Sequence, residues 1–492
     1  MKRLLRPATL RSDAPACQLH SVPPDPSQLR GGWPSSRTAR ILRAPVALTG
    51  LLLAAVVASP APPPVPPLRE ERFSLTEPGE VVATITASCA RCSWQETGQK
   101  TAMLRLTVDD RYAQHLVLLR GGVPAPYAVL LGALPAGFHR LRLELDRRAS
   151  APDAGAVSVS SIVFRTTTAS DPAYAALARA PILYRRPGTF ERFSDLPLVV
   201  WYETDRTRHG TRYRYSVVFT NEDGGTPVDR LMATWGRTTD IEFAYAVEVD
   251  ADGQVLEETY QADGHEIEEF RGRHEDGHPL LWVVTDNNLF GLVGPTAERT
   301  APAPIAFELA NVSREAVMDA QPWTYRVAAQ EVRREGKVSP DARPGEKRIP
   351  DPRRFAFLEA CAPGTDATLT FELGVAAGDA VTWFRSDAGE PRYRIARSAS
   401  TFPNGCFRVA VALPEGTTAA QVRGLRFLAH TREPAKDEPP LPEGTGRAHL
   451  VRVNRLFLLG PDDLPGPSLF AWTGDVPLVG EGPAAELPVS PR

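Results

Sequence analysis

Lysine is nearly missing from this chain, and so are the motifs that identify the common enzyme classes. Only five of the 56 basic residues are Lys, so Arg carries almost all of the positive charge. The sequence holds no Gly-x-Ser-x-Gly, no P-loop, and no Gly-x-Gly-x-x-Gly placed after a strand pattern. These absences exclude the nucleophile elbow of α/β-hydrolases and the two common nucleotide-binding loops. No motif assigns the chain to an enzyme class.

An excess of positive charge is missing as well. The chain has 56 basic and 59 acidic residues. Without residues 1–58, which hold eight basic and two acidic residues, 48 basic and 57 acidic residues remain, a net charge of −9. Proteins that bind nucleic acids present a basic face to the phosphates. We therefore expect no nucleic-acid partner.

The apolar stretch at residues 44–58 is shorter than a membrane-spanning helix. It has fifteen residues without a charge, APVALTGLLLAAVVA, whereas a spanning helix needs about 18 or more. A basic leader precedes it and a Pro-rich stretch, residues 59–67, follows it, which is the layout of a secretory signal. We expect cleavage after Ala58 and a secreted, periplasmic or extracellular protein. The alternatives are a single-pass anchor, which would be the only membrane contact, a start further along the chain, and a cytoplasmic protein.

Cysteine is sparse, with five residues in the whole chain, and Cys17 belongs to the leader. The other four are an even number in an oxidising context, which favours disulfides. Cys89 and Cys92 form a Cys-x-x-Cys after a strand pattern. We expect a local disulfide there rather than a redox pair, which would favour a helix N-terminus, or a zinc site, which would need a second ligand pair. Cys361 and Cys406 then pair by elimination.

Long helical periodicity is also scarce, whereas Pro (47) and Gly (37) are frequent. Strand-length runs such as VVATITA and FHRLRLEL alternate with turn residues. The pattern predicts a mainly β protein of tandem antiparallel β-sandwich domains with few short helices. The predicted segments are a signal segment with a long basic leader (1–58), a Pro-rich linker (59–69), a β-sandwich domain (70–167), an acidic, aromatic-rich β domain (168–335), a linker (336–351), a C-terminal β-sandwich domain (352–473) and a disordered tail (474–492).

Acidic residues are concentrated between residues 221 and 286, where 17 Asp and Glu face four Arg. One interpretation is a surface of solvated turns and strand edges. The other is a Ca²⁺ site built from loop carboxylates and carbonyls, for which residues 221–225 form the best loop. The candidate ligands are Glu222, Asp223 and Asp229. Calcium is the only cofactor that the sequence suggests, and the alternative is no cofactor.

The same window contains the candidate residues for ligand binding. Aromatic side chains are concentrated in the middle of the chain, where they either pack in a core or offer flat faces to sugar rings. We predict a binding site from Asp240, Glu242, His278, Trp235 and Trp282. Two carboxylates at one site would also suit glycoside hydrolysis, so a polysaccharide hydrolase remains an alternative.

His274-Glu-Asp-Gly-His278 matches the zinc-protease string His-Glu-x-x-His letter for letter. That mechanism needs both His on one face of a helix. Gly277 and Pro279 oppose a helix at this point. The stretch is therefore predicted not to be a zinc-protease site, with a metal-binding loop as the alternative.

Three pieces of sequence in this region resemble Vps62-like proteins. They are Gly236-Arg-Thr-Thr-Asp240-Ile-Glu242, the turn Asp250-Ala-Asp-Gly253 after a strand, and His278-Pro279 at the start of an apolar strand. The family shows a Gly-Asp-aromatic-Glu followed by a strand and a His-Pro-apolar strand; Ile241 stands here in place of the aromatic. The resemblance covers residues 236–288 and implies a β-rich domain without established catalysis.

Taken together, these patterns favour a secreted multi-domain β-sandwich protein with a non-catalytic binding role. The expected partner is carbohydrate or another component of the cell envelope. The alternatives are an extracellular polysaccharide-directed hydrolase that uses a carboxylate pair in the middle domain, and a structural envelope protein. Convergence of Asp240, Glu242 and His278 in one cleft would favour the hydrolase.

Overall fold

A computed structural model describes residues 67–489 except 91, 93, 95–100, 153, 397–404 and 435–437. The predicted signal segment, the leader with Cys17, and the Pro-rich linker up to residue 66 lie outside the described residues. These described residues form one compact unit. The fold is mainly β with several separate sheets, as the sequence predicts.

The first two sheets are built from residues 69–167. Their strands are β1 (Arg69–Leu75), β2 (Gly79–Cys89), β3 (Met103–Val108), β4 (Arg111–Val117), β5 (Ala125–Leu134), β6 (Gly137–Leu145) and β7 (Val157–Thr167). One sheet has the order β1-β6-β3-β4 and the other β5-β2-β7, and all of their pairings are antiparallel. Strand β6 shows how the sequence folds, because Leu141 and Leu143 are fully buried while Arg140 and Arg142 between and beside them remain partly exposed.

The middle two sheets come from residues 182–306. Their strands are β8 (Ile182–Tyr184), β9 (Pro197–Arg206), β10 (Thr211–Phe219), β11 (Asp240–Val249), β12 (Val255–Gln261), β13 (Ile267–Glu269), β14 (His274–Glu275), β15 (His278–Val283), β16 (Phe290–Gly291), β17 (Arg299–Thr300) and β18 (Ile305–Ala306). The six-stranded sheet has the order β13-β12-β11-β10-β9-β18, and the second has β14-β15-β8-β17 with β16 beside β15. Two of the pairings, β15 with β8 and β18 with β9, are parallel.

The last two sheets come from residues 355–488. Their strands are β19 (Phe355–Cys361), β20 (Gly364–Thr365), β21 (Ala367–Ala377), β22 (Ala380–Arg385), β23 (Ile395–Ala396), β24 (Cys406–Ala412), β25 (Val422–Thr431), β26 (Arg447–Leu458), β27 (Phe470–Val479) and β28 (Ala485–Pro488). The segment 474–492 differs from the disordered tail that the sequence predicts. Its described residues complete β27 and form β28, because Leu478 and Leu487 are buried in the core between these sheets.

Helices are few and short, as the sequence predicts. The described α-helices are α1 (Tyr174–Leu177), α2 (Thr189–Arg192), α3 (Val228–Trp235), α4 (Ala316–Ala320) and α5 (Trp323–Arg334), and short 3₁₀ turns lie at Ala154–Ala156, Asp263–His265, Pro352–Arg354, Pro391–Tyr393 and Ala419–Gln421. None of the helices in the described part of the chain has the length and apolar character that crossing a bilayer requires.

Both predicted disulfides are present. Cys89 is bonded to Cys92 at the end of β2, and Cys361 is bonded to Cys406. The second bond joins residues that lie opposite each other on β19 and β24.

The hydrophobic core is shared between the three stretches of chain. One buried cluster contains Met103 from the first stretch, Trp201 from the middle one and Phe457 from the last. Other clusters lie within the last stretch and within the first. The proposed domain boundaries near residues 167, 335 and 352 remain predictions.

Candidate binding site

A cavity of about 830 Å³ lies against the six-stranded sheet. We call it the polar groove, because five carboxyl groups and four guanidinium groups line it: Glu203, Glu222, Asp240, Glu242, Glu257, Arg212, Arg214, Arg237 and Arg314. Its walls also carry two amides, a His and the indole of Trp235. Such a dense mixture of donors and acceptors is suited to a polar ligand.

Helix α3 and strand β11 position the two central carboxyl groups. The helix ends at Gly236, whose φ of 57° is left-handed, as is common for a glycine that terminates a helix. A Cβ at this glycine would lie 2.6 Å from the side chain of Arg408 and 2.9 Å from the backbone of Val409. Glycine therefore lets the end of α3 approach β24 closely, and the chain then enters β11 at Asp240.

A β-bulge at Ala244 changes the alternation of side chains along β11. Tyr215 on β10 opposes Tyr245, whereas Ser216 opposes Phe243, so Ala244 has no partner on β10. A bulge of this kind bends a strand and re-aims its side chains. Glu242 and Phe243, which are sequence neighbours, both line the polar groove.

Asp240 lies at the buried end of the groove. Its Oδ1 accepts a hydrogen bond from the backbone N–H of Ile241 at 2.8 Å, and its Oδ2 accepts one from the Asn288 side chain at 2.9 Å. The Arg237 guanidinium lies 3.7 Å from Oδ1. Burial raises the pKa of Asp240, although Arg237 and Asn288 oppose that shift.

Glu242 is also buried, and the side-chain amide of Gln261 is hydrogen-bonded to it. The Gln261 amide nitrogen donates to its Oε2 at 2.5 Å, and His265 Nδ1 lies 3.8 Å from the same oxygen. The His265 ring is in turn 2.9 Å from Gln261 and 3.0 Å from Asn287. Burial and the negative charge of Asp240 raise the pKa of Glu242 well above its ordinary value.

Two further carboxyl groups of the groove hold a proton near neutral pH. Glu222 accepts a hydrogen bond from the Thr226 backbone at 2.7 Å. Burial, followed by the charge of Asp240, raises its pKa to about 8. Burial also raises the pKa of Glu203 to about 7. The groove therefore presents carboxylic acids, which donate as well as accept hydrogen bonds, beside ionised guanidinium groups.

Gly225 is required for the loop that carries Glu222. Its φ is 80°, and a Cβ there would lie 1.9 Å from the Glu222 Oε1 atom. A side chain at this position would strain the backbone and displace the carboxyl group.

Two of the guanidinium groups of the groove, those of Arg212 and Arg237, are paired with carboxylates. Arg237 lies 3.1 Å from Glu315. Arg212 reaches Glu248 at 2.7 Å and Glu257 at 2.6 Å. These pairs fix the side chains that a ligand would meet.

The two predicted tryptophans have different roles. Trp235 is half-buried at the end of α3 and lines the groove, and its buried Nε1–H has no hydrogen-bond partner among the described residues. Trp282 instead belongs to the core, where it stacks on Tyr184 at 4.3 Å and donates to the Thr296 carbonyl.

His278 does not reach the polar groove. It is buried on β15, where Nδ1 lies 2.9 Å from the Ala180 carbonyl and Nε2 lies 3.2 Å from Glu80. His278 lines a separate cavity. The structure thus brings Asp240 and Glu242 together, and places His278 elsewhere.

The candidate calcium ligands are engaged by different protein groups. Asp223 lies 2.7 Å from Arg186 and 2.5 Å from Arg192. Asp229 accepts hydrogen bonds from the Tyr393 hydroxyl and the Gly345 backbone, both at 2.7 Å. Only Glu222 of the three lines the polar groove. Within the residues that the structure covers, no group of three or more His, Cys, Asp or Glu could hold a metal ion.

Arginines from outside the acidic window pair with four of its 17 acidic residues. Arg186 and Arg192 bind Asp223, Arg212 binds Glu248 and Glu257, and Arg299 binds Glu275 at 2.7 Å. These pairs therefore compensate part of the excess of acidic residues.

The His-Glu-x-x-His string forms a β-hairpin, which confirms that it is not helical. His274 and Glu275 lie on β14 and His278 on β15, and the turn residues Asp276 and Gly277 both have positive φ. His274 lies 2.8 Å from Glu258, away from the partners of His278.

Sequence reasoning missed several residues of the groove. Gln261, His265 and Asn287 surround Glu242, and Arg314 lowers the pKa of both central carboxyl groups. Amides carry no motif, and these residues are far from Glu242 in the chain, so the sequence offers no signal for them. Gln261 and His265 lie in the acidic window that the sequence singled out, whereas Asn287 and Arg314 lie beyond it.

No family model matches the chain, and no curated protein matches it. Two solved structures show a weak similarity. The match to NLPPya in complex with mannosamine has 13% identity and a TM-score of 0.22, and covers 29% of this chain and 75% of that one. The match to Necrosis and Ethylene inducing Protein 2, from the causal agent of Witches Broom disease of cocoa, has 13% identity and a TM-score of 0.21, and covers 34% of this chain and 83% of that one.

Proposed function

We propose that this chain is an exported β protein with a non-catalytic binding role, and that the polar groove binds carbohydrate of the cell envelope. The observation that carries the proposal is the composition of the groove. Carboxyl, amide and guanidinium groups converge there on a cavity of about 830 Å³ with one indole at its wall. That volume lies within the usual range of small-ligand sites.

The chemistry of the groove matches a sugar. Each hydroxyl of a sugar both donates and accepts a hydrogen bond, so it suits a site that offers both functions. Glu242 and Gln261 supply acceptors and donors within one hydrogen-bonded pair. Trp235 lines the groove, where its indole offers an apolar ring for a face of the sugar.

Burial of Asp240 supports binding rather than hydrolysis. A glycosidase needs one ionised carboxylate and one protonated carboxyl group flanking the scissile bond. Asp240 is only 2% exposed and both of its oxygens are engaged by the protein. A hydrolase and a structural envelope protein remain the alternatives.

Export is proposed from the sequence of residues 44–58 and supported by the two disulfides, because disulfides persist in oxidising compartments. N-terminal sequencing of the exported protein should begin at Ser59. A full-length product retained in the membrane would contradict cleavage and favour the anchor.

The segment 236–288 is further proposed to correspond to the shared region of Vps62-like proteins. Gly236 closes α3, Asp240 opens β11, and His278 opens β15. The turn at residues 250–253 connects β11 to β12. These elements follow the order of the three sequence pieces that carry the resemblance.

The test of the binding role is a glycan screen with the purified exported chain, followed by calorimetry on the glycans that bind. Glu242→Gln and Trp235→Ala should each weaken binding about tenfold or more. The matched controls are Glu269→Gln, an exposed carboxylate outside the groove, and Trp383→Ala, an indole of the last sheets that packs under Arg426. Both controls should bind as the parent does.

Two results would overturn the proposal. One is the absence of binding to any glycan. The other is the release of shorter glycans, lost in Asp240→Asn, which would establish the hydrolase instead. Equal losses in the groove variants and the controls would point to a structural role.

A further inference from the structure

A second cavity, of about 400 Å³, lies between β4, β5 and the start of β9. It shares no lining residue with the polar groove. Most of its wall is apolar, with Leu119, Leu198, Val199, Ile305 and Trp323 among the residues that line it. Its volume falls within the range of small-molecule sites and is well above the roughly 150 Å³ that holds a benzene ring.

A single guanidinium group enters this apolar cavity. Arg120 is half-buried, its guanidinium lies 4.9 Å from the centre of the Trp323 ring, and its Nη1 donates to the Pro126 carbonyl at 2.8 Å. No Asp or Glu lines the cavity, and no carboxylate of the described residues pairs with Arg120. A guanidinium placed against apolar walls without an anion is costly. Its charge is therefore available to a ligand.

Two other polar side chains of the cavity, Gln114 and His115, are already bound to protein groups. Gln114 donates to the Leu130 carbonyl at 2.6 Å and accepts from the Ala301 backbone at 2.8 Å. His115 lies 2.7 Å from the Tyr112 hydroxyl and 3.2 Å from Asp146. Arg120 therefore offers a charged contact to a ligand of this cavity.

The charge near Arg120 also favours an anion. Burial lowers the pKa of Arg120, and the positive charge of Arg326 lowers it further. An anionic group at Arg120 would form a charge-assisted hydrogen bond with its guanidinium.

We propose that this cavity binds an amphiphilic monocarboxylate of the medium-chain fatty-acid type, with its apolar chain against Leu198 and Ile305 and its carboxylate on Arg120. The apolar wall excludes a sugar, whose hydroxyl groups would lose their hydrogen bonds to water without replacement. A cationic amphiphile is excluded by the charge of Arg120. The site is independent of the polar groove, so its test does not depend on the carbohydrate proposal.

The test uses calorimetry on the purified exported chain with three probes, the two ionic ones held below their critical micelle concentrations and the alcohol below its solubility limit. They are decanoate, decanol and decyltrimethylammonium. We expect decanoate to bind with a stoichiometry of one and about tenfold or more tighter than decanol. Decyltrimethylammonium should not bind measurably.

Variants distinguish the contribution of the carboxylate to binding from that of the alkyl chain. Arg120→Gln should weaken the binding of decanoate about tenfold, to the affinity measured for decanol, and should leave the affinity for decanol unchanged. Arg230→Gln, an exposed Arg on α3, is the matched control and should bind decanoate as the parent does. Ile305→Trp fills the cavity and should abolish the binding of both decanoate and decanol. Ala303→Trp replaces it as the cavity-filling variant if Ile305→Trp melts at a lower temperature than the parent.

Three outcomes would overturn the inference. They are failure of decanoate to bind below its critical micelle concentration, equal affinity of the parent and Arg120→Gln for decanoate, and equal binding of the cationic probe. Glu242→Gln should retain decanoate binding, which distinguishes this site from the polar groove.

Discussion

Cys361 and Cys406 lie directly opposite each other on neighbouring antiparallel strands, and a disulfide joins them. Both are buried, and the strands that carry them are part of the last pair of sheets. The bond closes a loop across a sequence separation of 45 residues. It therefore fixes the pairing of β19 with β24 at the end where β19 finishes.

Removing this disulfide should destabilise the protein strongly. In the chain-entropy model, closing a loop of this size contributes about 4 kcal/mol to the free energy of unfolding. The double variant Cys361→Ala, Cys406→Ala should lose a comparable amount in urea denaturation. The disulfide between Cys89 and Cys92 closes a much smaller loop, so removing it should lower the free energy of unfolding by less. Equal losses for the two pairs would contradict the loop-length argument.

Replacing His278 should be far more damaging than replacing His274. His278 is buried against Glu80, so His278→Ala leaves a buried carboxyl group without its partner, at a cost of about 3–5 kcal/mol. His274 pairs with Glu258 at the surface, and surface pairs contribute about 0–1 kcal/mol. Thermal denaturation of both variants measures the difference. Stoichiometric zinc that is lost in His274→Ala would contradict the hairpin interpretation of this string.

Glu222 should make the protein less stable as pH rises from 5 to 8. Folded Glu222 has a pKa of about 8, against an ordinary value of 4.5, so the folded state keeps a proton that the unfolded chain releases. The stability that this proton contributes is complete at low pH and is lost as pH rises through the folded pKa. Glu222→Gln does not titrate. It should flatten this dependence and be more stable than the parent at pH 8 by about 1 kcal/mol or more.

Urea denaturation at several pH values measures that dependence. Part of the slope should remain in Glu222→Gln, because burial also raises the pKa of Asp195 to about 8 and that of Glu203 to about 7. Glu269→Gln, at an exposed position, should keep the slope of the parent. If Glu222→Gln also keeps the full slope of the parent, Glu222 is ionised in the folded protein.

Calcium should act through Glu222 if it acts in this loop at all. Asp223 is bound by two guanidinium groups and Asp229 by a hydroxyl and a backbone amide, whereas Glu222 faces the polar groove. A bound ion would raise the melting temperature in millimolar Ca²⁺ over that in chelator at matched ionic strength. Glu222→Gln should remove that rise and Asp229→Asn should keep it. Coincident curves for the parent would contradict the calcium prediction.

Local pattern by itself determined the secondary structure and the covalent links. Alternating side chains predicted strands such as β6, and Gly277 with Pro279 predicted a turn in place of a helix. Counting cysteines was enough to pair Cys361 with Cys406. These features depend on neighbouring residues or on a small set of reactive groups, so one sequence suffices. Asp240 and Glu242 lie together for the same reason, since they are two residues apart on one strand.

Only the tertiary structure decided which groups surround those carboxyl groups. His278 lies in the same window of sequence, yet it pairs with Glu80, 198 residues earlier in the chain, and Trp282 packs in the core on Tyr184. Glu222 and Gln261 join Asp240 and Glu242 instead. Strand register, the bulge at Ala244 and the packing of one sheet against another set these neighbours, and none of them can be read from the period of a single strand. The partners of the acidic residues follow the same rule, because Arg212 and Arg299, which pair with Glu248 and Glu275, lie outside the acidic window in the sequence.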